Sequence, residues 1–271
     1  MSKKGSSFKD VLQSVFATFA ILIALGVSII LFIKVMGNPV HFVGGNPKGE
    51  VMPGDYLGIV YKGGFIVPIL MTCVLTLIIF TIERFITLGR AKGRGRLNTF
   101  VHNLQTLLAE DRIEEALEAC DKQKGSLANV MKAGLIRYRD LQKDTELEKD
   151  QKILSIQKSL EEATALELPM LGRNMVIFST LASASVLIGL LGTVFGMIRA
   201  FAALAQAGAP DALALATGIS EALINTAFGI AGSTIAIFMY NYFSTKIDGY
   251  TFKIDEAGFS LVQTFAASLK K

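Results

Sequence analysis

Two ionisable side chains stand inside otherwise apolar runs: Arg199 within Met175 to Leu204, and Glu221 within Ala212 to Phe243. A charge in hydrocarbon is costly and marks an ion path or its counter-ion. Glu221 lies in Gly218-Ile219-Ser220-Glu221-Ala222-Leu223-Ile224-Asn225-Thr226-Ala227-Phe228-Gly229, where a place near the outer end of the run would soften the cost. Asn225 is one helical turn further on, about 40° around, so it shares a face with Glu221. Thr226 lies about 140° from Glu221 and aligns with Ser233 and Tyr240 at seven-residue steps. The run therefore carries two polar faces, one suited to a pore and the other to a helix contact.

The preceding run carries Ser185, Gly189, Gly192, Thr193, Gly196, Ala200 and Ala203 at three- and four-residue steps. Such a stripe admits two readings. It is either a close helix contact of the small-xxx-small kind, or the wall of a lumen in which the Thr193 hydroxyl orders water without carrying charge. Arg199 either snorkels to the outer interface or sits at a pore mouth. Only one carboxylate lies in these runs, with no second titratable group to relay to. A complete proton path would need a group from another chain.

Other chemistries lack material. The histidines, His41 and His102, have no metal-ligand spacing around them, and the cysteines, Cys73 and Cys120, lie in an apolar run and a polar block respectively. No paired aspartates, Ser/His set or metal cluster supports an enzyme, and no cofactor is implied. A net charge of +4 without a basic, aromatic-interleaved stripe gives no argument for nucleic acid.

The elements that must position these residues follow from hydropathy. Of 271 residues, 51% are hydrophobic and 18% charged, below the roughly 25% charge of a soluble domain. Four runs approach or exceed the ~20 residues a helix needs to cross a bilayer: Val11–Val35, Phe65–Ile82, Met175–Leu204 and Ala212–Phe243. The first follows Lys3, Lys4 and Lys9 but far exceeds the ~7–15 apolar residues of a signal peptide, so it reads as a retained span. Lys and Arg number three in the first ten residues, two in Gly37–Gly64, sixteen in Glu83–Arg173, none in Ala205–Pro210 and four from Lys246 onward. That alternation places both termini and the charged block in the cytoplasm. The resulting division is 1–36 (N-terminus and extra span), 37–64 (periplasmic loop), 65–88 (span), 89–173 (cytoplasmic helical domain), 174–204 (span), 205–211 (short periplasmic link), 212–245 (span) and 246–271 (cytoplasmic tail).

The 37–64 loop, rich in Gly and Pro, reads as irregular. The charged block, with sixteen basic and fifteen acidic residues, reads as helices over Leu97–Leu108, Arg112–Cys120, Leu127–Leu141 and about Thr145 to Leu168. Gly125-Ser126 supplies a break and an N-cap. Ile153, Ile156, Leu160 and Ala163 form a buried stripe, and Pro169 ends or kinks the last helix. The Lys/Glu face opposite is a solvated surface or a docking surface.

Leu187-Ile188-Gly189-Leu190-Leu191-Gly192-Thr193-Val194-Phe195-Gly196-Met197-Ile198 resembles a signature of the MotA/TolQ/ExbB proton channel family. Ile219–Gly229, followed by Tyr240-Asn241-Tyr242-Phe243, resembles a second. Ile82-Glu83-Arg84-Phe85 resembles the end of the family's first common span, and Ala116–Leu135 its cytoplasmic loop. The likeness runs from about Phe65 to Lys246 and is greatest to ExbB and TolQ. It implies an all-α membrane protein of four transmembrane helices, one of them extra at the N-terminus. The long last two spans would line the lumen of a homopentamer in the bacterial inner membrane. Two copies of a single-span ExbD- or TolR-like partner would stand in that lumen, and an aspartate on the partner would pass protons. A TonB-like protein would carry the work outward. The family's pore threonines map onto Thr193 and Thr226, and its glutamate onto Glu221. Three positions depart from the family pattern: Val186 replaces a proline, Asn225 a small residue, and Arg199 an often uncharged one. The expected function is an ExbB-like energising subunit. A TolQ-like or motility stator unit and a non-conducting scaffold are the alternatives.

Overall fold

The structure, a computed structural model, describes residues 8–47, 49–142, 147–205 and 211–268. Among these residues the chain is helical, with one isolated antiparallel bridge between Phe42 and Val51. Four helices are long and apolar enough to cross a membrane, and the chain is an all-α, multi-pass membrane protein. It divides into two compact units, one built from the chain up to Thr81 with Val176–Tyr240, the other from Ile82–Met175 with Asn241–Lys271.

In the first unit, helix α1 (Phe8–Ile30) ends in a π-helical turn, Leu31–Met36. Tyr61 stacks on Phe32 at 4.7 Å and meets Phe42 edge-on at 5.5 Å. The 37–64 segment is more ordered than its composition predicts. It contains two 3-10 turns, Pro39–His41 and Val43–Gly45, and a short helix α2, Tyr56–Tyr61. Asp55 caps α2: its Oδ1 accepts from the Gly58 amide at 3.0 Å, and its Oδ2 lies 2.6 Å from His41 Nδ1. The Gly58 amide first, and His41 second, hold the Asp55 carboxyl below the usual carboxylate range. After a turn, α3 runs over Ile66–Lys92. It continues past the apolar run because Arg90 and Lys92 suit a helix C-terminus.

Helices α8 (Met175–Leu204) and α9 (Ala212–Ser268) complete this unit with their portions up to Tyr240. Of the expected 205–211 link, residues 206–210 lie outside the described residues. The two helices approach backbone to backbone. A Cβ on Gly189 would sit 2.9 Å from Gly229 Cα, and one on Gly196 would sit 2.7 Å from Gly218 O. Only small residues permit such contact.

The second unit holds α4 (Leu97–Ala109), α5 (Ile113–Gln123), α6 (Ser126–Gln142), α7 (Lys149–Gly172) and the end of α9. Its core gathers Leu104, Ala116, Met131, Leu135, Tyr138, Ile156 and Leu160 with Ile254, Leu261 and Phe265. The tail from residue 246 continues α9, since Ile254, Ala257, Leu261 and Phe265 repeat at three and four and bury one face. Glu148 is extended (φ −65°, ψ 155°) and helix α7 is described from Lys149; Thr145, near the expected start, lies outside the described residues. Pro169 neither ends nor breaks α7. It lies in the last turn, and the helical run is interrupted later, at Arg173 and Asn174, the latter with φ +61°. Gly125 does mark a break at φ +85°, and Ser126 is already helical. In the same unit, Arg84 is fully buried. Its Nε and Nη2 each donate to Glu83 at 2.7 Å, and its Nη1 donates to Leu171 O at 3.1 Å.

Candidate functional site

The first unit brings the expected residues into two polar groups along the α8–α9 contact. The first is a hydroxyl pair. Thr193 on α8 and Thr226 on α9 are both half-buried, with Oγ1 atoms 2.5 Å apart. Thr193 also donates to Gly189 O, one turn back on its own helix, at 3.2 Å. With that hydrogen committed, Thr226 donates to Thr193, and both lone pairs of the Thr226 oxygen stay open. The pair is neutral and rich in acceptors. It suits a donor arriving from outside the chain, such as water or a protonated carboxyl.

The second group is an ion pair. Arg199 Nη1 donates to both carboxylate oxygens of Glu221 at 2.8 Å. The Glu221 side chain is 3% exposed and that of Arg199 53%, so the carboxylate is dry and its cation wet. One nitrogen serving two oxygens is a looser grip than the two-nitrogen fork of an ideal Arg–carboxylate pair. The guanidinium lies 5.7 Å from the Phe65 ring, which meets Phe195 edge-on at 5.5 Å. Arg199 is thus half exposed and ion-paired to Glu221.

Asn225 is fully buried. Its Nδ2 donates to Gly63 O at 2.9 Å, and its Oδ1 has no partner. A Cβ on Gly192 would lie 2.5 Å from Asn225 Cβ, so glycine is required there for the amide to pass. Both polar faces of α9 are engaged. Glu221 and Asn225 meet Arg199, Gly192 and the 62–65 turn, while Thr226 and Ser233 bond to α8, the latter at 2.6 Å to Ala182 O. The stripe of Ser185, Gly189, Gly192 and Gly196 faces α9, each of its glycines within 3 Å of an α9 atom by the measure of an added Cβ.

Sequence reasoning missed Gly63, Gly64 and Phe65. The signal was a Gly-Gly pair directly before an apolar run. Among the described residues no group of three His, Cys, Asp or Glu side chains is placed to hold a metal.

Against known proteins, the model of the MotA/TolQ/ExbB proton channel family matches residues 122–256. The biopolymer transport protein ExbB of Pseudomonas putida is 30% identical over 153 residues, 54% of this chain and 44% of that protein. ExbB of Salmonella typhimurium is 34% identical over 91 residues, 34% of this chain and 37% of its own length. The Tol-Pal system protein TolQ of Pseudomonas aeruginosa is 29% identical over 117 residues, 43% of this chain and 51% of that protein. The chain thus spans about half or less of these curated relatives.

Proposed function

The chain belongs to the MotA/TolQ/ExbB proton channel family, and from that premise we propose that it is an ExbB-like subunit of an inner-membrane motor. The motor would use the proton-motive force to energise TonB-dependent outer-membrane transport. The observation that carries this reading is the neutral Thr193–Thr226 pair in a bundle where, among the described residues, Glu221 is the only buried carboxylate. A path with one ion-paired acid needs a second acid that can take and release a proton. A single-span ExbD- or TolR-like protein supplies it, two copies standing inside a homopentamer of this chain. The α8 and α9 spans line the lumen, both termini and the 89–173 block face the cytoplasm, and a TonB-like protein takes up the work.

Thr193→Val and Glu221→Ala are expected to abolish energised iron-chelate uptake while the complex still assembles. Normal uptake in both variants at matched protein level rejects the site. Proton flux into liposomes that depends on the single-span partner separates a conducting subunit from a scaffold. A TolQ-like role is the second reading, favoured by the similarity to the P. aeruginosa protein. A deletion strain that constricts its envelope poorly but takes up iron chelates normally would select it.

A further inference from the structure

Three consecutive residues of the turn between α2 and α3 lie against Asn225 or the Glu221–Arg199 pair. Gly63 O accepts from Asn225 Nδ2 at 2.9 Å, in a bond bridging 162 positions of sequence. Gly64 lies directly on the ion pair: an added Cβ would overlap Glu221 Oε1 and come within 3.4 Å of Arg199 Nη1. Phe65 presents its ring to the Arg199 guanidinium at 5.7 Å. We propose that the Lys62–Phe65 turn is a lid on the Glu221–Arg199 pair, and that Asn225 is the positioning residue that latches it. This rests on the ion-path reading above and adds a moving part to it.

The turn has what a lid needs. Its hinge is Gly63-Gly64, with Gly64 at φ +74°, a conformation that favours glycine. Its flanks are helices with fixtures of their own: α2 is capped by Asp55, and the apolar start of α3 is buried at Ile66 and Val67. Between them the turn is tied to α9 by the hydrogen bond from Asn225. The net gain from that bond is offset by Asn225 Oδ1, which is buried without a donor while the lid is shut. Opening frees that oxygen to take a water, which lowers the cost of opening without abolishing it. Closure keeps the carboxylate dry, and opening admits an ion from the extracytoplasmic side.

Two measurements test this. In hydrogen exchange on the full chain in lipid nanodiscs, Asn225→Leu should speed exchange across residues 62–68 by about tenfold, the loss of one hydrogen bond's worth of protection. The α9 amides should keep their native rates. Unchanged exchange at 62–68 overturns the latch. For the lid, cysteines are placed at Gly63 and Ile224 in a chain lacking Cys73 and Cys120. A Cβ on Gly63 would lie 3.0 Å from Ile224 Cγ2, near where a thiol at position 224 would stand, and Val67→Ala accompanies the pair because the same Cβ overlaps Val67 Cγ2. Oxidation should cut partner-dependent proton flux in liposomes at least tenfold, with recovery on reduction. Equal flux in the two states overturns the lid and leaves the conduction reading standing. No flux from the native chain with its partner overturns the conduction reading, and the exchange result then judges the latch alone.

Discussion

The hydroxyl oxygens of Thr193 and Thr226 lie 2.5 Å apart on helices whose backbones meet through Gly189 and Gly229. The backbone contact fixes the hydroxyl contact, because at Gly189 and Gly229 neither residue has a side chain to hold the helices apart. The two threonines therefore act as one group.

Thr193→Val and Thr226→Val each keep side-chain shape and remove a hydroxyl. Each is expected to lower partner-dependent proton flux at least tenfold. The double variant should lose no more than either single one, since groups that act as a unit are not additive. Flux through liposomes holding the three variants checks this. Losses that multiply would separate the two residues.

Arg199→Met leaves Glu221 dry and unpaired. Removing one partner of a fully buried pair costs about 3–5 kcal/mol. Arg199 is 53% exposed, so water makes good part of the loss, and about 1–2 kcal/mol is expected. The detergent-purified variant should melt a few degrees below the native chain. Adding Glu221→Gln should restore most of the difference.

The α2 cap depends on pH in a definite direction. The Asp55 carboxyl is held below its usual range, by the Gly58 amide first and His41 second. A group with a depressed folded-state pKa contributes stability that is present above its unfolded value and lost as pH falls through the folded one. Protection of the Gly58 amide, corrected for intrinsic exchange, should hold at neutral pH and fall in acid below the ordinary carboxylate range. Asp55→Asn should remove that acid step.

Cys120 sits in the core of the second unit at 2% exposure. Burial pushes its thiol up to about 12, with Asp121 adding to the rise and Lys132 opposing it. The thiolate is the reactive form, so a maleimide at neutral pH should leave Cys120 unlabelled in the native chain. Unfolding should make it react fully, as mass spectrometry would record.

Hydropathy alone located the spans, because a bilayer forbids charge wherever it touches a helix. Periodicity found Ile153, Ile156, Leu160 and Ala163, since one face of α7 must be buried. Helix ends were less legible. Glu148 precedes α7 in an extended conformation, and Pro169 stays within α7, which runs on to Gly172. At the site, helix geometry placed Glu221 and Asn225 on one face because both lie on one helix. Their partners could not be read that way. Arg199 is on another helix, and Gly63 lies 162 positions away. Chain length between residues says nothing of such pairings until the fold is known. The lone Asn in an apolar run did carry information: an amide that deep must bond to something, and the backbone of a Gly-Gly turn is the acceptor a tight fold can bring closest.

The hydrogen arrangement at Thr193 has one more consequence. With one hydroxyl hydrogen given to Gly189 and the other to Thr193, the pair has lone pairs to offer and no hydrogen left. A carboxylic acid that has kept its proton can settle there, and its anion finds only repulsion. The threonines thus sort a visitor by whether it is loaded, as a pawl admits a tooth in one direction, although neither of them ever changes charge.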